Sequence, residues 1–139
     1  MRVERQGPDE CMLATLAALA DTTLAHVRAL SGVPSWADDV IGWPGRYQDA
    51  TDRLCVALRL PQIVLSGPTG SVAPFLPRTG RGYVQVGRVT GWGHIMPWED
   101  GRLCDPEDPL GRWRTLAEWL AARPGYTVLR VQTIGRTIP

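Results

Sequence analysis

The order of helix-like and strand-like segments limits the folds open to this chain more than any other feature. Segments with helical composition come first along the chain, and segments with strand character follow them. The run CMLATLAALA contains no helix breaker and predicts a helix over 11–20. Further helices are predicted over 23–31 and 47–59, where apolar residues recur at helical spacing and Gly32 and Pro61 provide stop signals.

The second half of the chain is dominated by short segments typical of antiparallel strands. Asp100-Gly101 is a hairpin turn signal, and a short helix is predicted over 115–122. The predicted strands are 63–65, 83–89, 93–98, 102–105 and 126–134. Together the segments predict an α+β fold in which N-terminal helices pack on a mostly antiparallel sheet, as a single domain over 1–139.

Composition excludes several classes of function. The net charge is +1 with no basic block, which argues against nucleic acid as a partner. No apolar run reaches the roughly 20 residues of a membrane helix, and the N-terminus lacks the apolar core of a signal peptide, so we expect a cytoplasmic protein without a membrane partner. All 15 basic residues are Arg, and the sequence lacks Lys and Asn. This bias suggests a GC-rich bacterial or phage source, and it excludes lysine-based catalysis.

The cysteines suggest chemistry rather than a scaffold. Cys11, Cys55 and Cys104 are odd in number and widely spaced, which argues against a disulfide framework. The sequence has no CxxC pair and only two histidines, 68 positions apart, so we expect no structural zinc site, no other metal and no cofactor. Cys55 and Cys104 are predicted to be core residues.

Cys11 stands where the first predicted helix begins. The positive end of a helix dipole stabilises a thiolate, which is the nucleophilic form of cysteine. Gln6 precedes Cys11 by five residues, in the turn that leads into the helix. Its side-chain amide and the Cys11 backbone N–H could together form an oxyanion hole.

His94 and Asp105 are predicted to face each other across a hairpin. His94 begins one predicted strand, and Asp105 ends the next. A turn centred on Asp100-Gly101 nearly pairs the two residues across the ladder. A carboxylate beside an imidazole fixes its tautomer and supports the imidazolium. The sequence therefore predicts a Cys-His-Asp arrangement.

These residues resemble a known family. Gln6, the helix beginning at Cys11, Gly93-His94 and Asp105-Pro106 are similar to the papain-like cysteine peptidases. The closer likeness is to the compact bacterial branch that includes the bacteriocin-processing peptidases, which cut after double-glycine leaders. In that branch an oxyanion glutamine precedes the cysteine, a Gly-His begins a strand and an Asp-Pro ends the next. The likeness follows the order and spacing of most of the chain but rests on few positions.

The resemblance implies a papain-like fold and a role for each matching residue. Cys11 would be the nucleophile, His94 the general base and acid, Asp105 the orienting carboxylate and Gln6 the oxyanion donor. The chain departs from the family in three ways. Its Gln–Cys gap is shorter, Glu10 replaces a small residue before Cys11, and no transporter domain is present, so a stand-alone enzyme is expected.

The expected function is that of a cysteine peptidase. It would cleave peptide or isopeptide bonds in a peptide or protein substrate through a thioester intermediate. An acyltransferase or transglutaminase-like enzyme would use the same triad but resolve the thioester with an amine. Outside the enzymes, the alternatives are a non-catalytic papain-like module that binds a peptide or protein, and a small adaptor or inhibitor protein from a phage or mobile element.

Each candidate residue also has an ordinary structural explanation. Cys11 can be a small buried hydrophobe, and His94 can be a core histidine with a backbone partner. Asp105 before a proline can simply begin a turn, and Gln6 can be a solvated loop residue.

Two tryptophans flank His94 in the sequence. Trp92 is a candidate for substrate binding, because an aromatic wall gives a groove large contact area, and the same role is open to Trp98. Packing in the core or at its rim is the alternative for both.

Overall fold

The computed structural model describes residues 1–7, 10–31, 44–66, 76–89 and 93–136, with the backbone alone at 44–48 and 64–66. The N-terminal helices are α1 (Cys11–Leu19), α2 (Leu24–Ser31) and α3 (Pro44–Ala57). They are followed by β1 (Gln62–Ser66), β2 (Arg81–Arg88), β3 (Gly93–Glu99), β4 (Arg102–Cys104), β5 (Trp113–Arg114), α4 (Leu116–Ala122) and β6 (Tyr126–Ile134).

The strands form one antiparallel sheet. Their order is β1-β6-β2-β3-β4-β5, and each neighbouring pair is antiparallel. Asp100 and Gly101 connect β3 to β4 with positive φ angles of 48° and 85°, as the tight turns of hairpins require. The predictions of an α+β fold, a mostly antiparallel sheet and a turn at Asp100-Gly101 are confirmed.

Helix α1 is the central helix of the N-terminal half. Every residue from Met12 to Leu19 is buried, whereas Cys11 at its start is partly exposed. A helix that is apolar on all sides must be covered on all sides. Packing against α2, α3, β2 and β3 provides that cover and leaves the N-terminal end accessible.

Two apolar clusters lie on opposite faces of the sheet. Tyr83 and Ile95 belong to the cluster that contains α1, α2 and α3. The next residue on each strand, Val84 and Met96, belongs to the cluster that contains Trp119 of α4. Because side chains alternate along a strand, α4 covers the face opposite the other helices, which the prediction of a single helical layer did not include.

Several details differ from the sequence-based expectations. Helix α3 begins at Pro44, three residues before the predicted start. Strand β5 has only two residues and was not predicted, because so short an edge strand carries no alternating pattern. Leu30, a candidate inward residue of α2, is 43% exposed, while Leu24 and Val27 are buried as expected. Within the described part of the chain, no helix has both the length and the apolar character to cross a membrane.

Candidate active site

Cys11 is the first residue of α1, and it is the only residue of this helix that is partly exposed. The first turn of α1 contains no acidic residue, and the side chain of the preceding Glu10 makes no capping bond to the helix. The backbone N–H groups of a first helical turn point away from the helix body and carry its positive end charge. Cys11 therefore lies in an electropositive environment that favours a thiolate.

His94 lies near the beginning of β3, between α1 and α4. The strand places it opposite Val86 of β2, and its side chain is only 6% exposed. The imidazole is hydrogen-bonded to Asp105 and to Cys11. Its Nε2 lies 2.7 Å from Asp105 Oδ1, which leaves Nδ1 as the ring nitrogen for the Cys11 thiol. The structure thus brings together the three residues that the sequence predicted as a triad.

The hairpin register is the one that a turn centred on Asp100-Gly101 sets. The β3–β4 ladder pairs Trp98 with Leu103 and Glu99 with Arg102, and the same register continued would place Asp105 opposite Met96. His94 is two residues from Met96 and shares its face of the strand. Asp105 is therefore a diagonal neighbour of His94 rather than its direct partner, and it reaches the imidazole from just beyond the end of β4.

Asp105 is surrounded by hydrogen-bond donors. Oδ1 accepts from the Glu107 backbone N–H at 2.9 Å and bonds to His94, and Oδ2 accepts from Trp119 Nε1 at 2.9 Å. The Arg123 guanidinium lies 3.6 Å from Oδ2. Burial would raise the pKa of Asp105, but the bonds from His94, Trp119 and Glu107 hold it at about 2. The carboxylate is therefore ionised throughout the neutral range.

The charge on Asp105 has a direct effect on His94. Burial would lower the pKa of His94, but hydrogen bonds to Asp105 and Cys11 outweigh it and raise that pKa to about 10. His94 is therefore expected to be an imidazolium at neutral pH. An imidazolium between a carboxylate and a thiol stabilises the thiolate and can later deliver a proton.

Trp119 of α4 contacts both residues of the His94–Asp105 pair. Thr115 caps α4 by accepting from the Glu118 N–H, and this helix directs Trp119 into the core, where it is 2% exposed. Its ring lies 6.0 Å from the His94 ring at an interplanar angle of 15°. No sequence pattern indicated the bond from Trp119 to Asp105, because the two residues lie in different elements.

Gln6 is joined to the residue after Asp105 through its backbone, and its side-chain amide bonds to the backbone of Gly7. Its backbone N–H donates to Pro106 O at 3.0 Å, which joins the N-terminal segment to the residue after Asp105. Its side-chain Nε2 donates to Gly7 O at 3.3 Å, while its Oε1 is buried without a hydrogen-bond partner among the described residues. That bond uses one of the two N–H donors of the amide, and an oxyanion role requires the other.

The remaining candidates have separate outcomes. Cys55 and Cys104 are buried, as predicted, and burial raises the pKa of Cys55 to about 12 and that of Cys104 to about 11. Trp92, the candidate for substrate binding, lies outside the described residues. Trp98 is fully buried in the cluster around α4, which confirms the packing alternative for this residue and excludes it from a groove wall.

The geometry favours a His–Asp pair over a metal site. His94, Asp105 and Glu107 have potential ligand atoms within 4.8 Å of one another. However, His94 Nε2 and Asp105 Oδ1 are at hydrogen-bond distance, and Arg123 lies within 3.6 Å of Asp105 and 3.7 Å of Glu107. The arginine already supplies the positive charge that a metal ion would bring to these carboxylates.

The chain matches no protein-family model, no curated protein and no solved structure.

Proposed function

We propose that this protein is a papain-like cysteine peptidase that acts through Cys11, His94 and Asp105. The observation that carries the proposal is the chain of contacts from the thiol at a helix N-terminus, through a buried imidazole, to a buried carboxylate. The placement of the cysteine on a central buried helix, and of the other two residues in and just after adjacent strands, also supports a papain-like fold.

The proposed reaction has two stages. The Cys11 thiolate attacks the carbonyl carbon of a peptide or isopeptide bond, and the His94 imidazolium gives its proton to the leaving amine. The acyl group is then bound to Cys11 as a thioester. Neutral His94 next removes a proton from water, whose oxygen attacks the thioester and releases the acid and the thiolate. Asp105 keeps the imidazole oriented in both stages.

The oxyanion would be stabilised at the start of α1. The Cys11 backbone N–H belongs to the first helical turn, whose N–H groups do not bond within the helix. Gln6 would supply the second donor through the side-chain N–H that is not bonded to Gly7 O.

A non-catalytic module that binds a peptide or protein is the second candidate, and the conformation of Gln6 is the observation that favours it. A module of this kind needs no aimed oxyanion donor and no thiolate. An acyltransferase would have the same site geometry as a peptidase, so only the acceptor distinguishes these two enzymes.

The test is the pH dependence of iodoacetamide labelling, with mass spectrometry locating each labelled cysteine. Cys11 should be labelled rapidly down to about pH 5, because the His94 imidazolium stabilises its thiolate. In His94→Ala, labelling should begin only near pH 8.5, where an ordinary thiol ionises. The buried Cys55 and Cys104 are internal controls that should stay unlabelled in the folded protein. Labelling of wild-type Cys11 only near pH 8.5 would refute the catalytic proposal.

Turnover is tested on unfolded peptides, with and without an added primary amine. Hydrolysis should be lost in Cys11→Ala with little change in the free energy of unfolding, because Cys11 is only partly buried. Amide formation in preference to hydrolysis would identify an acyltransferase. A reactive Cys11 that produces neither product would leave the binding module as the better account.

A further inference from the structure

The side chain of Glu10, the residue before Cys11, is held away from the helix that it precedes. Its carboxylate accepts from Arg28 Nε at 2.5 Å and from Arg28 Nη2 at 2.6 Å, a two-pronged contact. Glu10 Oε1 also accepts from the Gly7 N–H at 2.9 Å, and the Glu10 N–H donates to Gly7 O at 3.3 Å. The turn into α1 is thus closed by reciprocal bonds and tied to the last turn of α2.

The cluster of Gly7, Glu10 and Arg28 is closely fitted. A Cβ atom on Gly7 would lie 2.3 Å from Glu10 Oε1 and 3.6 Å from Arg28 Nη2. Only a residue without a side chain therefore allows the carboxylate to approach this backbone. The hydrogen bond from Arg28 lowers the pKa of Glu10, so the carboxylate is charged at neutral pH.

A charged carboxylate beside Cys11 is unfavourable for the proposed chemistry. Like charges repel, so an uncompensated carboxylate one residue from the thiol would oppose thiolate formation. Several other charged groups lie near this end of α1. Glu4 comes from the N-terminal segment and interacts with Arg28, Arg28 comes from α2, His94 comes from β3, and Asp105 comes from just beyond β4.

We infer that Gly7, Glu10 and Arg28 form a positioning unit for Cys11, in which the arginine fixes the entry to α1 and cancels the carboxylate charge beside the nucleophile. This inference rests on the proposed function, because only a thiolate makes that charge matter. It also accounts for Glu10 at the position where the peptidases that the chain resembles have a small residue.

The test compares Arg28→Gln, Glu10→Gln and the double variant by the pH midpoint of Cys11 labelling. Arg28→Gln leaves the carboxylate uncompensated and should raise the midpoint by about half a pH unit. Glu10→Gln leaves the arginine uncompensated and should lower it. The double variant should lie near the wild type. Arg112→Gln is the matched control, because Arg112 is similarly exposed and is paired with Asp108 rather than Glu10.

If Gly7, Glu10 and Arg28 only stabilised the fold at this end of α1, the labelling midpoints of the variants would differ from those expected above. Both single variants would then move the midpoint in the same direction, and the double variant would not restore it. That result, or no shift in Arg28→Gln, would overturn the inference. The peptidase proposal would still be supported in that case if wild-type Cys11 reacts at about pH 5. A wild-type thiol that reacts only near pH 8.5 would instead refute the proposed function, and opposite shifts in the two single variants would then show only charge coupling.

Discussion

Thr15 on α1 donates a hydrogen bond from Oγ1 to the backbone oxygen of Ile95 on β3, at 3.1 Å. Thr15 is fully buried and lies one helical turn after Cys11, and Ile95 follows His94 directly. A helical threonine often bonds instead to the carbonyl four residues earlier in its own helix. Here the hydroxyl joins the helix that bears Cys11 to the strand that bears His94.

The first prediction concerns this bond. Thr15→Val removes the hydroxyl and should lower the free energy of unfolding by about 1 kcal/mol, and it should slow the labelling of Cys11 at pH 6 because the two elements lose their common register. Thr15→Ser is the matched control. It keeps the hydroxyl and removes a buried methyl, at a cost of about 1 kcal/mol. Equal labelling rates in the two variants would show that the bond has no positioning role.

The second prediction concerns the charge of Asp105. Among the described residues, the polar side-chain and backbone groups that contact the Asp105 carboxylate are all hydrogen-bond donors. They belong to His94, Glu107, Trp119 and Arg123. Asp105→Asn turns an NH₂ group toward one of these donors, so the free energy of unfolding should fall by about 1–3 kcal/mol. The pH midpoint of Cys11 labelling should rise, because the carboxylate that raises the pKa of His94 is gone.

Asp108→Asn is the control for the second prediction. Asp108 also accepts from donors, the Leu110 N–H and Arg112, but it does not contact His94 in the described structure. Its variant should lose stability without changing the labelling of Cys11. A midpoint that moves equally in both variants would mean that Asp105 acts only through folding.

The third prediction concerns Trp119. Trp119→Phe keeps an aromatic ring beside His94 but removes the donor to Asp105 Oδ2. The free energy of unfolding should therefore fall by about 1–3 kcal/mol. Cys11 labelling at pH 6 should also become slower. Trp98→Phe is a matched control. Trp98 is equally buried, and its Nε1 has no hydrogen-bond partner among the described residues. It should lose stability alone, and a labelling change of the same size would contradict the assigned role of Trp119.

The sequence predicted those helices and turns whose formation depends mainly on residues close together in the chain. The unbroken run at 11–20 was sufficient for α1, and Asp100-Gly101 was sufficient for the turn between β3 and β4, because both are local signals. That turn also placed Asp105 near His94, and the register that it sets makes the two residues diagonal neighbours.

The rest depends on contacts between distant parts of the chain. Trp119 bonds to a residue 14 positions earlier, and Thr15 bonds to one 80 positions later. Neither contact follows from a periodic pattern, because each is fixed only once α1 and α4 pack on opposite faces of the sheet. The Gln6 backbone N–H is likewise bonded to Pro106 O, a contact that the sequence did not indicate.

The fourth prediction concerns the stability of the His94–Asp105 pair as a function of pH. Folding lowers the pKa of Asp105 from 3.8 to about 2, so its contribution is present above about pH 4 and is lost as the pH falls toward 2. Folding raises the pKa of His94 from 6.5 to about 10, so its contribution is complete below about pH 6.5 and is lost as the pH rises toward 10. In a Cys11→Ala background, where no thiolate at position 11 titrates in the opposite direction, the free energy of unfolding in urea should therefore decline between about pH 6.5 and 8.5, below the range in which unfolded thiols ionise fully. Adding His94→Gln should flatten that decline, whereas adding His26→Gln, a change at an exposed position of α2, should preserve it. A decline that persists unchanged in His94→Gln would mean that His94 is not held as an imidazolium in the folded protein.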